Sequence, residues 1–227
     1  MKEEIIAGID EAGRGPVIGP MSIAGVSIRE GDEKKLIEIG VRDSKELKPE
    51  RREELAKKIE KIAKDVFVIN VAPCRIDNYL IHQKLSLNEV EIIRFADIAD
   101  LLRSDRLYVD SPEVKTDKFA KKMSAKMEYK DTEIIAENKA DSKYPIVSAA
   151  SIIAKVARDA EMEKLRKEFG VRGSGYPSDE ETISWMKEYL DKNGKFPEKG
   201  LIRFSWDTTK KMLSDRKQSR LFGFFRK

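Results

Sequence analysis

The segment Ile5-Ile6-Ala7-Gly8-Ile9 is an unbroken apolar run that stops on two adjacent acids, Asp10-Glu11, and a Gly/Pro-rich stretch from Gly13 to Pro20. A short apolar run bounded by turn residues reads as a buried strand. The two acids then sit at its end, where a rigid backbone can hold a ligand in place. Met21 to Ile28 reads as the antiparallel neighbour of this strand, reached through the Gly/Pro loop, and Val66 to Val71 as a third strand. Glu50 to Ala63 is predicted helical, with Leu55, Ile59 and Ile62 on one face and Pro49 at its start. Leu87 to Leu102 reads as a second helix, with Val90, Ile93 and Leu101 among its apolar positions. Leu107-Tyr108-Val109 is a short strand ending at Asp110, and Glu133 to Ala136 another. Val147 to Phe169 reads as a long helix, Ser178 with Glu181 as a capping box for a helix through Leu190, and Trp206 to Leu213 as a last helix. From Gln218 onward the chain reads as a tail. Strands alternating with helices predict an α/β fold with a mixed sheet, the helices dominating the C-terminal third.

At 227 residues the chain is long enough for one α/β domain and a modest extension. No apolar run approaches the ~20 residues of a membrane helix, and the first strand begins too early to leave room for a signal peptide. The single cysteine, Cys74, has no internal disulfide partner, which points to a reducing cytosol and a cytoplasmic location. Charge is unevenly placed. Residues 198–227 carry nine Lys/Arg and three Asp/Glu, so the first 197 residues are near neutral and the end is basic. Such an end suits a nucleic-acid backbone, and equally a solvated helix and tail.

Asp110 repeats the pattern of Asp10 at a second strand end, and Asp141 precedes the long helix. Ligands at the ends of neighbouring strands converge although distant in sequence. Four carboxylates at one point repel unless divalent cations neutralise them, and hard oxygen donors select Mg²⁺ or Mn²⁺. A pair of such ions about 3.5–4 Å apart supports phosphodiester cleavage. Position alone does not single out Asp10, Glu11, Asp110 and Asp141 among 41 acidic residues, since caps and turns also use Asp and Glu. Other chemistries find less support. One histidine, His82, and one cysteine exclude most zinc sites. No nucleophile elbow and no phosphate-binding GxxxxGK[ST] loop is present.

The heptapeptide Asp10-Glu11-Ala12-Gly13-Arg14-Gly15-Pro16 resembles the signature of type 2 ribonuclease H. The resemblance continues at Asp43-Ser44-Lys45, Tyr108-Val109-Asp110, Lys139-Ala140-Asp141, Ser148 to Lys155 and Gly173-Ser174-Gly175-Tyr176-Pro177-Ser178-Asp179, in family order, over residues 5 to about 212. The archaeal members are the most similar in character. The resemblance implies an RNase H-like fold with a mixed central sheet flanked by helices, plus a C-terminal helical extension and tail. It divides the chain into a catalytic domain (1–178), a helical substrate-binding region (179–216) and a tail (217–227). It implies a metal-dependent endonuclease that hydrolyses the RNA strand of RNA/DNA hybrids and cuts at ribonucleotides embedded in duplex DNA. The products carry 3′-hydroxyl and 5′-phosphate ends, and the setting is DNA replication and repair. Asp10, Glu11, Asp110 and Asp141 are then both catalytic and metal-binding.

Substrate contacts are expected from Gly13, Arg14, Gly15, Lys45, Ser148, Ser151, Lys155 and Tyr176. Tyr176 resembles the family tyrosine that stacks beside the ribonucleotide sugar at an RNA–DNA junction. Ser148, Ser151 and Lys155 share a helix face at i, i+3 and i+7, where they suit phosphates or simple packing. The chain departs from the family at Asn138, where a histidine is usual, so any role of that histidine is not carried over. The type 3 relatives carry an extra N-terminal domain, for which a signature at residue 10 leaves no room. The enzyme is expected to act as a monomer.

The last residues, Gln218-Ser219-Arg220-Leu221-Phe222-Gly223-Phe224-Phe225, fit the pattern Gln-x-x-aliphatic-x-x-aromatic-aromatic. They resemble the box through which replication and repair proteins dock on the sliding clamp, PCNA. One helical turn would bring Leu221, Phe224 and Phe225 together, with Gln218 at the edge. The alternative is a terminal latch on the protein's own body.

Overall fold

A computed structural model of the chain describes residues 3–41, 47–197 and 200–224, with side chains described as far as Gln218. The chain divides into two compact units. The first comprises residues 1–13, 21–70 and 86–160, and the second 14–20, 71–85 and 161–227.

The first unit is built on a mixed five-stranded sheet of order β3-β2-β1-β4-β5. Its strands are β1 (Ile5–Ala12), β2 (Met21–Arg29), β3 (Asp65–Val71), β4 (Arg106–Asp110) and β5 (Glu133–Glu137). β1 runs antiparallel to β2 and parallel to β4, and β4 runs parallel to β5. The helices are α1 (Glu33–Glu38), α2 (Pro49–Ile62), α4 (Leu87–Leu102), α5 (Thr116–Lys126) and the first part of α6 (Pro145–Phe169). α3 (Pro73–Asp77) and a π-helical turn (Asn78–His82) fall in the second unit, with the rest of α6, α7 (Glu180–Asn193) and α8 (Asp207–Phe224).

Two glycines set how closely helices approach the sheet. A Cβ on Gly8 of β1 would lie 2.4 Å from the Ile146 carbonyl oxygen, so only glycine lets the start of α6 press onto the strand. Side chains alternate along a strand. Ile6, Gly8 and Asp10 therefore share the α6 face, where Ile6, Val26 and Ile28 pack with Leu55 and Ile59 of α2 and Ile146 to Ala154 of α6. On the other face, a Cβ on Gly25 would meet Ile98 and Leu102 of α4. α4 buries Val90, Phe95, Ile98 and Leu102, and Phe95 meets Phe119 of α5 edge-on at 6.0 Å.

In the second unit, Val17, Ile18, Met162, Val171, Trp185, Met186, Leu190, Phe196, Leu201 and Ile202 form a separate core. No described helix is long and apolar enough to cross a membrane.

The predicted antiparallel neighbour of β1, the mixed sheet and the helix over 87–102 are all found. Three details differ. The cap of α7 is Asp179, whose carboxylate accepts from the Glu181 N–H, and not a Ser178 box; a charged acceptor at a helix N-terminus is the stronger cap. The reciprocal box occurs instead at Ser86 and Glu89, at the start of α4. Leu101 is 53% exposed, because the core face of α4 runs through Ile98 and Leu102. α8 does not stop at Leu213 but continues to Phe224, since no proline or glycine interrupts the chain before Gly223.

Candidate active site

Strand register brings the acids together. Ile9 of β1 pairs with Val109 of β4, so Asp10 and Asp110, one residue further on, leave adjacent parallel strands side by side. Alternation from Gly8 and Tyr108 puts both on the α6 face. Asp141 lies on a single 3-10 turn, Ala140–Ser142, between β5 and α6. The turn is entered through Lys139 in the left-handed region (φ 56°) and closed by the Ser142 hydroxyl on the Lys139 carbonyl at 2.8 Å. The Ala140 N–H donates to Asp110 Oδ1 at 3.0 Å, which ties this turn to the end of β4. One oxygen from each of Asp10, Asp110 and Asp141 falls within 4.8 Å of the others. Asp10 and Asp141 are each 4% exposed, and Asp110 is half-buried.

Glu11 stands outside this trio as a close negative neighbour. Its N–H donates to Asp10 Oδ1 at 2.7 Å. Burial above all, then the charge of Glu11, with Asp110 adding to both, holds the Asp10 carboxyl well above the ordinary carboxylate range. A hydrogen bond with Ser151 and the Glu11 N–H act against that shift. An all-oxygen donor set whose own charges oppose one another fits a hard divalent cation, which would hold every member ionised.

The remaining predicted residues of this unit have defined surroundings. Ser151 is 4% exposed and bonded to Asp10, so it braces a carboxylate. Ser148 is 2% exposed, and its hydroxyl has no hydrogen-bond partner among the described residues. Lys155 pairs with Asp159 Oδ1 at 2.5 Å, and Asp159 Oδ2 accepts from Arg52 at 2.9 Å. Arg52, 7% exposed, also donates to the Leu47 carbonyl at 2.5 Å. Lys45 lies outside the described residues. Asn138, in the histidine position, donates to the Ser111 and Glu113 carbonyls at 2.7 and 3.0 Å and fixes the turn that follows Asp110. His82 is exposed.

The loop Arg14–Pro20 and the Tyr176 turn meet within the second unit. The Val17 and Ile18 N–H groups donate to the Gly175 carbonyl at 2.8 and 3.2 Å, and a Cβ on Gly15 would lie 3.3 Å from the Tyr176 ring. Tyr176 is 43% exposed. Asp179 builds its turn, accepting from the Ser174 N–H and hydroxyl at 2.5 and 2.6 Å. Gly173 (φ 74°) leaves room for this, since a Cβ there would sit 2.7 Å from Asp179 Oδ2. The same contacts, led by the Ser174 hydroxyl, hold the Asp179 carboxyl far below its ordinary range.

Sequence reasoning missed Arg203, Trp206 and Asp77. Arg203 is fully buried, and its Nη1 and Nε donate to the Arg14 and Gly19 carbonyls at 2.8 and 3.0 Å. Trp206 Nε1 donates to the Gly15 carbonyl at 3.0 Å. Asp77 accepts from the Phe204 and Ser205 N–H groups, both at 2.8 Å. No local pattern marks these residues, because their partners lie more than 120 positions away.

Comparison with known proteins agrees with the geometry. The family model described as Ribonuclease HII matches residues 7–209. The ribonuclease HII of Pyrococcus abyssi is 44% identical over 218 residues, 95% of this chain and 94% of that protein. The crystal structure of the ribonuclease H2 from Pyrococcus horikoshii OT3 superposes with a TM-score of 0.85 at 46% identity, covering 92% of this chain and 96% of that one. The ribonuclease HII of Archaeoglobus fulgidus, solved in complex with PCNA, gives 0.80 at 42% identity, with 89% and 95% covered. An RNase H-like mixed sheet carrying converging acids at its strand ends, a family model spanning most of the length and relatives of this similarity lead to one conclusion: the chain belongs to the ribonuclease HII family.

Proposed function

We propose that this enzyme hydrolyses the RNA strand of RNA/DNA hybrids and cuts at ribonucleotides embedded in duplex DNA, leaving 3′-hydroxyl and 5′-phosphate ends. The observation that carries the reading is the approach of Asp10, Asp110 and Asp141 within 4.8 Å in a chain of this family. Mg²⁺ or Mn²⁺, held by these three with Glu11, would supply activation of water and stabilisation of the leaving oxygen. The chain's own residues prepare the site. Ser151 and the Glu11 N–H hold Asp10, and the Ala140 N–H holds Asp110, so the carboxylates are oriented before a ligand arrives. The exposed ring of Tyr176 against Gly15 offers a face on which a sugar or base can stack. The deciding assay uses a DNA duplex with one embedded ribonucleotide, an RNA/DNA hybrid and plain DNA, each with Mg²⁺ or Mn²⁺. Cutting of the first two and not the third supports the reading; binding without cutting, or cutting of plain DNA, overturns it.

A second reading concerns the basic end. α8 carries the helical backbone through Leu221 and Phe224, and Gln218 is exposed. Phe225 lies outside the described residues. The clamp-binding pattern, with a family member from Archaeoglobus fulgidus solved in complex with PCNA, supports docking of residues 217–227 on the sliding clamp. The assignment of 1–178 to catalysis and 179–216 to substrate binding, monomeric action and cytoplasmic location belong to the same proposal. Calorimetry of a peptide covering 214–227 against the clamp, beside a Phe224→Ala, Phe225→Ala control, tests the docking. Micromolar binding lost in the control supports it, and no heat from either peptide sinks it.

A further inference from the structure

We infer that Arg203 and Trp206 are positioning residues for substrate recognition, turning the Gly15 N–H outward as a fixed donor to an oxygen of the RNA strand. The inference rests on the ribonuclease reading above but concerns residues that the reading does not use.

The geometry is specific. Arg203 heads the largest fully buried side chains described in the molecule, and its guanidinium donates twice to the backbone of the Arg14–Pro20 loop. Nη1 takes the Arg14 carbonyl at 2.8 Å, Nε takes the Gly19 carbonyl at 3.0 Å, and the Arg203 N–H takes the Val17 carbonyl at 2.9 Å. The charge lies over the Trp206 ring, 4.7 Å from its centroid, and Trp206 Nε1 takes the next carbonyl, that of Gly15, at 3.0 Å. Asp77, 8% exposed, grips the two residues between them through the Phe204 and Ser205 N–H groups and the Ser205 hydroxyl. Donors from one short segment thus hold two consecutive carbonyls at the exposed corner of the loop.

Peptide planarity converts this into a statement about donors. All described peptides are trans, so each N–H points opposite to the carbonyl in its own plane. With the Arg14 carbonyl drawn towards Arg203, the Gly15 N–H is turned the other way. Gly15 is exposed, and its N–H has no hydrogen-bond partner among the described residues. The next position is Pro16, which has no N–H, so the following peptide brings no donor to compete with the Gly15 N–H. It stands beside the Tyr176 ring, 3.3 Å from where a Gly15 Cβ would be. A larger residue at 15 would fill that space. Donor and ring together form a recognition corner whose orientation is set from behind by Arg203 and Trp206.

An ordinary structural role predicts a different outcome from a positioning role. Trp206→Phe keeps the aromatic face under the guanidinium and removes only the donor to the Gly15 carbonyl. Arg203→Lys keeps the charge and removes the fork. The variants are compared with wild type by melting temperature and by fluorescence anisotropy on an RNA/DNA hybrid and a DNA duplex of the same sequence, in EDTA. Cleavage of the hybrid is followed in Mg²⁺. One net hydrogen bond corresponds to about 3- to 10-fold in affinity. The expected result is a loss of that size on the hybrid with DNA-duplex binding unchanged, and a parallel fall in kcat/KM, larger for Arg203→Lys. Equal losses on both duplexes, or no loss in either variant while the wild type prefers the hybrid, overturn the inference. A wild type that neither prefers nor cleaves the hybrid overturns the ribonuclease reading itself, a result separable from the first.

Discussion

Asp10→Asn isolates the electrostatic tension at the carboxylate site. Two full charges 4.8 Å apart repel by about 3.5 kcal/mol at an effective dielectric constant of about 20, and Asp10 faces such a charge on both Asp110 and Asp141, besides Glu11. The strain has an upper limit, because a carboxyl can take up a proton. At pH ~7 the cost of one buried acid cannot exceed about 4 kcal/mol, the free energy of protonating a group of ordinary pKa. Asn keeps an oxygen to accept from Ser151 or the Glu11 N–H and brings an amide that can donate to its carboxylate neighbours. In EDTA at pH ~7 the variant is therefore expected to gain about 2–4 kcal/mol, roughly 5–15 °C in Tm for a chain of this size. The sign follows from the raised pKa of Asp10. Stability linked to its proton is fully present below the unfolded pKa and is lost as pH rises through the folded one. The gain on substitution should then vanish as pH falls towards ~4. Adding Mg²⁺ should reverse the order, since the wild type gains ligand stabilisation that the variant has lost. Cleavage should fall on the order of 10³-fold. Calorimetry across pH, with and without Mg²⁺, is the measurement. A variant that melts below wild type in EDTA at neutral pH, or a gain that persists in acid, would refute the reasoning.

Other expectations are equally direct. Tyr176→Ala should slow cutting at a single embedded ribonucleotide by roughly 10- to 100-fold, the value of one lost stacking contact of about 1–3 kcal/mol, and leave plain-duplex binding intact; an unchanged rate removes Tyr176 from the site. Gly8→Ala would force a methyl group to 2.4 Å from the Ile146 carbonyl oxygen, backbone that cannot rotate away, and should lower stability by about 1–3 kcal/mol or more in urea titration. An unaltered midpoint would mean that α6 does not press on β1 as described. Asp179 has a depressed pKa, so its contribution is present above about pH 4 and is lost as pH falls further. Limited proteolysis around residues 173–179 should rise below that pH in the wild type, and Asp179→Asn should show the raised cleavage already at neutral pH. Equal cutting of both proteins at every pH would count against the turn geometry.

Short-range chemistry was readable in the sequence and long-range chemistry was not. The run Ile5–Ile9 and the acids after it announced a strand and its end, and register did the rest: once β1 and β4 are neighbours, Asp10 and Asp110 must be adjacent. The four acids were singled out by resemblance, because strand-end position is shared by many ordinary acids. α5 went unseen, since only Phe119 and Met123 are buried amid five lysines between residues 115 and 126 and the apolar stripe is thin. The Ser178 box failed because Asp179, next to it, offers a charged acceptor that also serves Ser174. The helix face of Ser151 suits phosphates or simple packing as far as the sequence goes, but it also looks onto Asp10, which only the folded sheet reveals.

The loop that bears Arg14 and Gly15 is stitched to the far end of the chain: to Gly175, to Leu201, to Arg203 and to Trp206. A ribosome adds about 5–20 residues each second, so the loop waits for roughly 10–40 seconds after its own synthesis before its partners exist. Once residue 141 has been added, about 60 residues before Arg203, the nascent chain already contains Asp10, Glu11, Asp110 and Asp141. The corner beside Tyr176 can close only when the last helix has begun to emerge. Synthesis past residue 206 is therefore required before this corner can assemble. A product cut short before residue 203 would carry the acids without the device that orients Gly15, and such fragments should bind hybrid and DNA duplexes without distinguishing between them.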